Sequence, residues 1–375
     1  MVPVKGAGVK LKMRIALMIA ATLYASAAFS QQSAQQSQQV PKPQVNVRTD
    51  AFLFKGGPSL GDSDKVRWDF YKADSMGGRS DENVGGAYDA TFEEKIPPGK
   101  YVAVAALGNI SREIAFEVKN GAVTELAVDF EAAQLTLVPK RSPDSKEAEP
   151  LARVTVTQDE FSDSIYGAKE LYVPAGELKL EGRIGPAVAE ETITVKAGDT
   201  VNHDVIIPSG VVVTNAVYKE GGRQVETDSI RFEALKDMQT LDGTRETITG
   251  TYGPGKIMQM PAGNFIMRAR LGKVTVEKPF SVTAGQRTDL SIDLDAGVLV
   301  VSASQAERID ILETTKDLQG TQKEISGRYG TTHQETLHPG TYAVKVTYAK
   351  KANRDPKEVS ATVTASERTE INITD

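Results

Sequence analysis

The chain has 375 residues, 40% of them hydrophobic and 25% charged, with a formal charge of −6 and no cysteine. That length holds two to four domains, and the composition fits globular modules, not a membrane bundle. The acidic balance argues against nucleic acid or an anionic membrane as partner, and the lack of Cys excludes disulfides, cysteine metal sites and a thioether-linked lipid anchor.

The N-terminal stretch, residues 1–30, reads as a secretory signal. Lys5, Lys10, Lys12 and Arg14 precede an apolar run over 15–23, and Ala25-Ser26-Ala27 and Ala28-Phe29-Ser30 are small-residue cleavage sites. The apolar run is shorter than the roughly 20 residues needed to span a bilayer, so cleavage is expected and not retention as an anchor. Residues 31–44 are rich in Gln, Ser and Pro, a composition that cannot offset its ordering entropy. They are expected to form a disordered linker.

From there one pattern recurs. Pro98-Gly99-Lys100-Tyr101 opens an alternating strand, and so do Pro174-Ala175-Gly176, Pro261-Ala262-Gly263 and Pro339-Gly340-Thr341-Tyr342. Pro presets φ and Gly permits the positive φ of a tight turn, so the four Gly are expected to take φ > 0 or to tolerate no side chain. Gly99, Gly176, Gly263 and Gly340 follow one another at a nearly even interval. Upstream of each turn runs an alternating strand marked by Arg67-Trp68, Arg153-Val154, Arg231-Phe232 and Arg308-Ile309. Tyr88, Tyr166, Tyr252 and Tyr329 fall between strand and turn, and Gly121, Gly198, Gly285 and Ser366 mark a later hairpin. In the first copy a Gly- and Asp-rich loop is expected over 76–86. The second copy is short: the interval from Arg153 to Gly176 is compressed, whereas Arg67 to Gly99, Arg231 to Gly263 and Arg308 to Gly340 are equal and longer.

Each copy thus has five to seven short strands separated by turn signals, and no stretch after the signal has helical periodicity. The expected architecture is all-β: four tandem Ig-like β-sandwich modules over residues 45–131, 132–208, 209–295 and 296–375. Units of about 80 residues can each enclose a core. Short joints favour a semi-rigid row of modules.

The turn, the alternating strand after it and the Val-x-Ala-Gly hairpin resemble prealbumin-like modules, in particular the carboxypeptidase regulatory-like and PEGA-type repeats of bacterial extracytoplasmic proteins. The resemblance covers most of residues 41–375. It implies a scaffold class in the Gram-negative envelope, periplasmic or secreted, and carries no catalytic residues.

Chemistry is sparse. The three His are His203, His333 and His338. The last two read as solvated turn residues, and His203 as a satisfied core or interface histidine. Asp62-Ser63-Asp64 offers calcium carboxylates, but Val66 stands where an EF-hand needs an oxygen; a solvated loop is the plainer reading. No nucleophile elbow, zinc motif or phosphate loop occurs, so neither enzyme nor cofactor nor metal is expected. The repeated Tyr read as core residues whose hydroxyls tie a loop, with a sugar-stacking series as the alternative. Trp68 reads as core. The ligand-contact candidates are Arg67, Arg153, Arg231 and Arg308, each outward-facing by alternation. For three of them, an ion pair with Asp69, Glu233 or Asp310 two positions on is the plainer reading.

These residues point to a non-enzymatic spacer or binding scaffold of the envelope. Its partner would be an envelope protein or polysaccharide. The alternative is a carbohydrate-binding or adhesive protein that uses the loops at the ends of the sandwiches.

Overall fold

The computed structural model describes residues 45–61 and 65–374. The expected signal, the expected linker and the Asp62-Ser63-Asp64 run lie outside the described residues. The described residues are all-β, in four repeats of seven strands. The first repeat has β1 (Val47–Phe52), β2 (Val66–Ala73), β3 (Arg79–Tyr88), β4 (Phe92–Glu94), β5 (Gly99–Leu107), β6 (Ile110–Val118) and β7 (Thr124–Asp129). The second has β8 (Ala132–Lys140), β9 (Arg153–Gln158), β10 (Phe161–Tyr166), β11 (Lys169–Pro174), β12 (Gly176–Ile184), β13 (Ala187–Val195) and β14 (Thr200–Ile206). The third has β15 (Ser209–Val217), β16 (Arg231–Gln239), β17 (Arg245–Tyr252), β18 (Lys256–Pro261), β19 (Gly263–Leu271), β20 (Val274–Val282) and β21 (Arg287–Asp293). The fourth has β22 (Gly297–Ala303), β23 (Ala306–Lys316), β24 (Gln322–Tyr329), β25 (Thr332–Leu337), β26 (Gly340–Tyr348), β27 (Lys357–Val363) and β28 (Arg368–Ile373). A 3-10 turn, Lys350–Ala352, lies in the long loop of the last repeat.

Every repeat pairs its strands alike. A three-stranded sheet, β4-β1-β7 in the first, has β1 parallel to β7 and antiparallel to β4. A four-stranded antiparallel sheet, β3-β2-β5-β6, faces it. The inner faces follow the alternation. Val66, Trp68 and Phe70 are fully buried while Arg67 between them is exposed. Trp68 and Phe70 stack with centroids 6.3 Å apart, and the Trp68 indole N–H donates to the Ala90 carbonyl at 3.3 Å. Phe232 and Ile309 take the place of Trp68 in later cores, as period-two burial requires.

Successive repeats are joined by backbone hydrogen bonds across very short connections. Ala132 N donates to Leu53 O and Ala175 N to Glu131 O, both at 2.8 Å. The third and fourth repeats are tied in the same way, with Ala262 N to Pro208 O at 2.9 Å and Ala296 N to Tyr218 O at 2.8 Å.

One local expectation is corrected. The stretch expected as a loop over 76–86 is strand from Arg79 onward. Gly85 and Asn83 sit at a register shift that lets the Gly-rich edge stay paired. Gly176, Gly263 and Gly340 take φ of +127°, +145° and +157°, whereas Gly99 does not take positive φ. There the turn glycine instead makes room for the Tyr101 ring, 3.3 Å from where a Cβ would stand.

Candidate binding surface

The outer face of each four-stranded sheet carries the candidate residues. On β2, Arg67 is directly opposite Tyr88 of β3; likewise Arg153 opposes Tyr166, Arg231 opposes Tyr252 and Arg308 opposes Tyr329. Two series that look separate in the sequence are therefore one constellation. The four Tyr are 59–71% exposed. The expectation that they are core residues is overturned, because strand register places them on the face of the outward Arg. The loop-tying role falls to other tyrosines: Tyr101 Oη donates to Pro97 O and Tyr342 Oη to His338 O, each at 2.7 Å.

Three of the four Arg are spoken for. Arg67 lies 2.7 Å from Asp69, Arg231 2.7 Å from Glu233, and Arg308 bonds Asp310 while reaching Glu324 at 2.8 Å. Their guanidinium carbons also sit 5.8, 5.8 and 5.3 Å from the centroids of Tyr88, Tyr252 and Tyr329. Hydrogen bonding to Asp69 and Asp310 raises Arg67 and Arg308 above the ordinary arginine value, so both stay charged and held. A glycine faces each acid across the strands: Gly86, Gly250 and Gly327. A Cβ on Gly86 would stand 2.5 Å from the Trp68 carbonyl, and one on Gly327 would stand 2.5 Å from the Arg308 guanidinium. The Gly-x-Tyr spacing on the partner strand was the available signal for this pairing.

The second repeat departs from the pattern. Thr155 stands in the acid position, Ser164 in the glycine position, and their hydroxyls are 3.0 Å apart. Arg153 bonds Ser164 Oγ at 3.4 Å in place of a carboxylate.

A second difference follows from the short hairpin. In the other repeats the hairpin after the Arg strand is long and bulged. Its far strand reaches the opposite edge of the sheet: Arg79 lies 3.0 Å from Glu113 on β6, Arg245 4.0 Å from Glu277 on β20, and Gln322 Nε2 donates to Glu358 on β27 at 3.1 Å. Those edges are three strand spacings apart, about 14 Å. The contact is possible only because the hairpin crosses the outer face as an arm. Beneath the arms the outward residues are apolar and buried: Val102, Leu235 with Ile266, and Leu312 with Ala343. In the second repeat β9 and β10 pair without a register shift across the turn Asp159-Glu160, so there is no arm. Glu190 there occupies the position of Glu113, Glu277 and Glu358, and no arm residue reaches it.

His333 corrects another expectation. It is 3% exposed inside the fourth sandwich, not a solvated turn residue. Its Nδ1–H donates to Ile309 O at 3.1 Å; Ser326 Oγ lies 3.1 Å from Nε2 and donates to Glu335 at 2.6 Å. Burial lowers the His333 pKa below its ordinary value near 6.5. Glu335 stands five positions before its turn glycine, where the second and third repeats have Leu171 and Met258. His203, half-buried, lies 3.0 Å from Glu191, and His338 bonds the Asp295 carbonyl at 3.1 Å. Among the described residues no three metal-ligating side chains gather, and no helix is long and apolar enough to cross a membrane.

No family model matches the chain, and no curated protein matches it. Solved structures with similar strand arrangements include the TIE protein of Bacillus anthracis, at 13% identity over 90% of this chain and 75% of that one, with a TM-score of 0.21. A streptococcal ancillary pilin is 13% identical over 64% of this chain and 98% of its own, with a TM-score of 0.25. The minor pilin of Streptococcus agalactiae is 10% identical over 44% and 94%, also with a TM-score of 0.25.

Proposed function

We propose that this chain is a non-enzymatic modular scaffold of the bacterial envelope, periplasmic or secreted, whose sandwiches act as an extended spacer that presents binding surfaces. The observation that carries the reading is the fourfold repetition of one seven-strand unit with short, hydrogen-bonded joints. Repetition adds length and surface area. The proposed modules are residues 45–131, 132–208, 209–295 and 296–375, and the proposed partner is an envelope protein or polysaccharide. Small-angle scattering tests the spacer role. Four sandwiches of about 35–40 Å in line give a radius of gyration of about 40 Å, against about 20 Å for a compact chain of this length. The compact value would end the spacer reading.

An adhesive role through its loops is the second reading. It is favoured by Met76, Leu241 and Leu318, which stand 93%, 111% and 103% exposed at the tips of the three long hairpins.

A further inference from the structure

The outer face of the second repeat is the surface that the other three repeats cover with an arm. Two adjoining depressions lie there, of about 540 and 480 Å³, sharing Thr157 and Lys179 on their walls. Together they run the length of β9 and into the turn after it, from Arg153 to Asp159. Each is as large as an ordinary ligand site.

The lining has changed along with the loss of cover. Thr157 stands where Leu235 and Leu312 stand in the third and fourth repeats, and Lys179 stands where Ile266 and Ala343 stand. An apolar floor without its arm would be an aggregation hazard; this floor is polar. Its groups are mixed. Arg153 and Lys179 donate, Glu177, Glu181, Glu190, Glu191 and Asp159 accept, and the hydroxyls of Thr155, Thr157 and Thr192 do either. Beside Arg153, on the edge strand, the Tyr166 ring is 67% exposed. At the far end the Gln158 amide oxygen is buried without a hydrogen-bond donor.

We infer that this trough binds a segment of a neutral polysaccharide. The polar floor disfavours a lipid or an apolar peptide arm. The excess of carboxylates over cations on its walls disfavours a polyanion, which needs a cationic track. A neutral, polyhydroxylated chain matches both, since each hydroxyl donates and accepts, and the Tyr166 ring offers a face for a sugar ring at the open end. This goes beyond the scaffold reading and fails separately from it, because a spacer with an empty trough would still be long in solution.

The test is calorimetric titration of the full chain with neutral hexasaccharides of glucose and of N-acetylglucosamine, and with an acidic hexasaccharide of galacturonic acid. The expected result is binding of a neutral chain that is unchanged between about 0.1 M and about 1 M salt, over which the screening length falls from about 10 Å to about 3 Å. The pair Thr157→Leu and Lys179→Ile, which copies the covered floor of the third repeat, should weaken it at least about tenfold. Glu190→Gln, at an exposed position that leaves the core untouched, should weaken it also and stands in if the pair fails to fold. Three results would overturn the inference: no binding of any neutral hexasaccharide, binding that ignores both sets of substitutions, or binding of the acidic chain alone that salt abolishes.

Discussion

Arg231 lies against Tyr252 across two strands, 5.8 Å from the ring centroid, while Glu233 beneath it is only 7% exposed and 2.7 Å from the guanidinium. The carboxylate has little access to water, so the Arg is its solvation. Arg231→Ala should therefore cost about 1–3 kcal/mol, the penalty of a polar group left without its partner. Tyr252→Ala should cost less, within about 0.5–1 kcal/mol. Removing Arg231 and Glu233 together should recover most of the first loss. Urea unfolding of the three variants measures this, and equal losses for the single and double changes would refute the buried-partner account.

The glycines opposite the acids are close-packed. Gly86→Ala would place a Cβ 2.5 Å from a backbone carbonyl, which no side-chain rotation relieves. A loss of about 1–3 kcal/mol is expected. Gly263→Val should cost a similar about 1–3 kcal/mol for a different reason, the φ of +145°. Gly108, with open space around its Cβ direction but a φ of +57°, separates the two causes: its Ala variant suffers backbone strain without the clash. An unchanged unfolding midpoint for Gly86→Ala would disprove the close approach.

The architecture was legible because the turn chemistry and the period of two repeat four times and agree with each other. Trp68, Phe232 and Ile309 are buried where alternation puts them. The partner of each Arg was not legible, because register across strands is not written along one strand. Tyr88 was therefore read as core, although its place opposite Arg67 makes it outward. The short second repeat was visible as the compressed interval from Arg153 to Gly176. That the missing stretch is an arm over the sheet rests on Arg79 beside Glu113 on the far edge, a contact that no run of residues encodes. Glu335 broke the apolar pattern of its strand, but nothing in the sequence joined it to Ser326 and His333.

The buried histidine makes the fourth sandwich pH-sensitive. Its folded pKa is depressed by burial, so the unfolded chain binds a proton near pH 6.5 that the folded module refuses. Stability from this group is present in full above that value and declines as pH falls toward the folded pKa. The melting temperature of the fourth module should drop between about pH 7 and pH 5.5. His333→Gln should flatten the profile in that window. A wild-type profile that rises on acidification would mean that the Glu335 charge, not burial, governs the site.

The chain has a single tryptophan, and it is buried in the first sandwich. Trp68 fluorescence therefore reports the first module alone, while circular dichroism sees all four. If each pair of sheets closes its own core, damage in one module stays there. Phe232→Ala removes a fully buried ring from the third core and should cost that module about 3–5 kcal/mol. The dichroism transition should split or shift to lower urea. The Trp68 midpoint should stay put, since sites with no shared partners add within about 0.3–0.5 kcal/mol. Trp68→Ala cannot serve as the converse, because it removes the probe; Phe70→Ala does, and should move the fluorescence transition while most of the dichroism amplitude melts as before. If Phe232→Ala instead drags the Trp68 transition with it, the repeats unfold as one cooperative body. The boundaries at 131, 208 and 295 would then mark structural repeats and not domains.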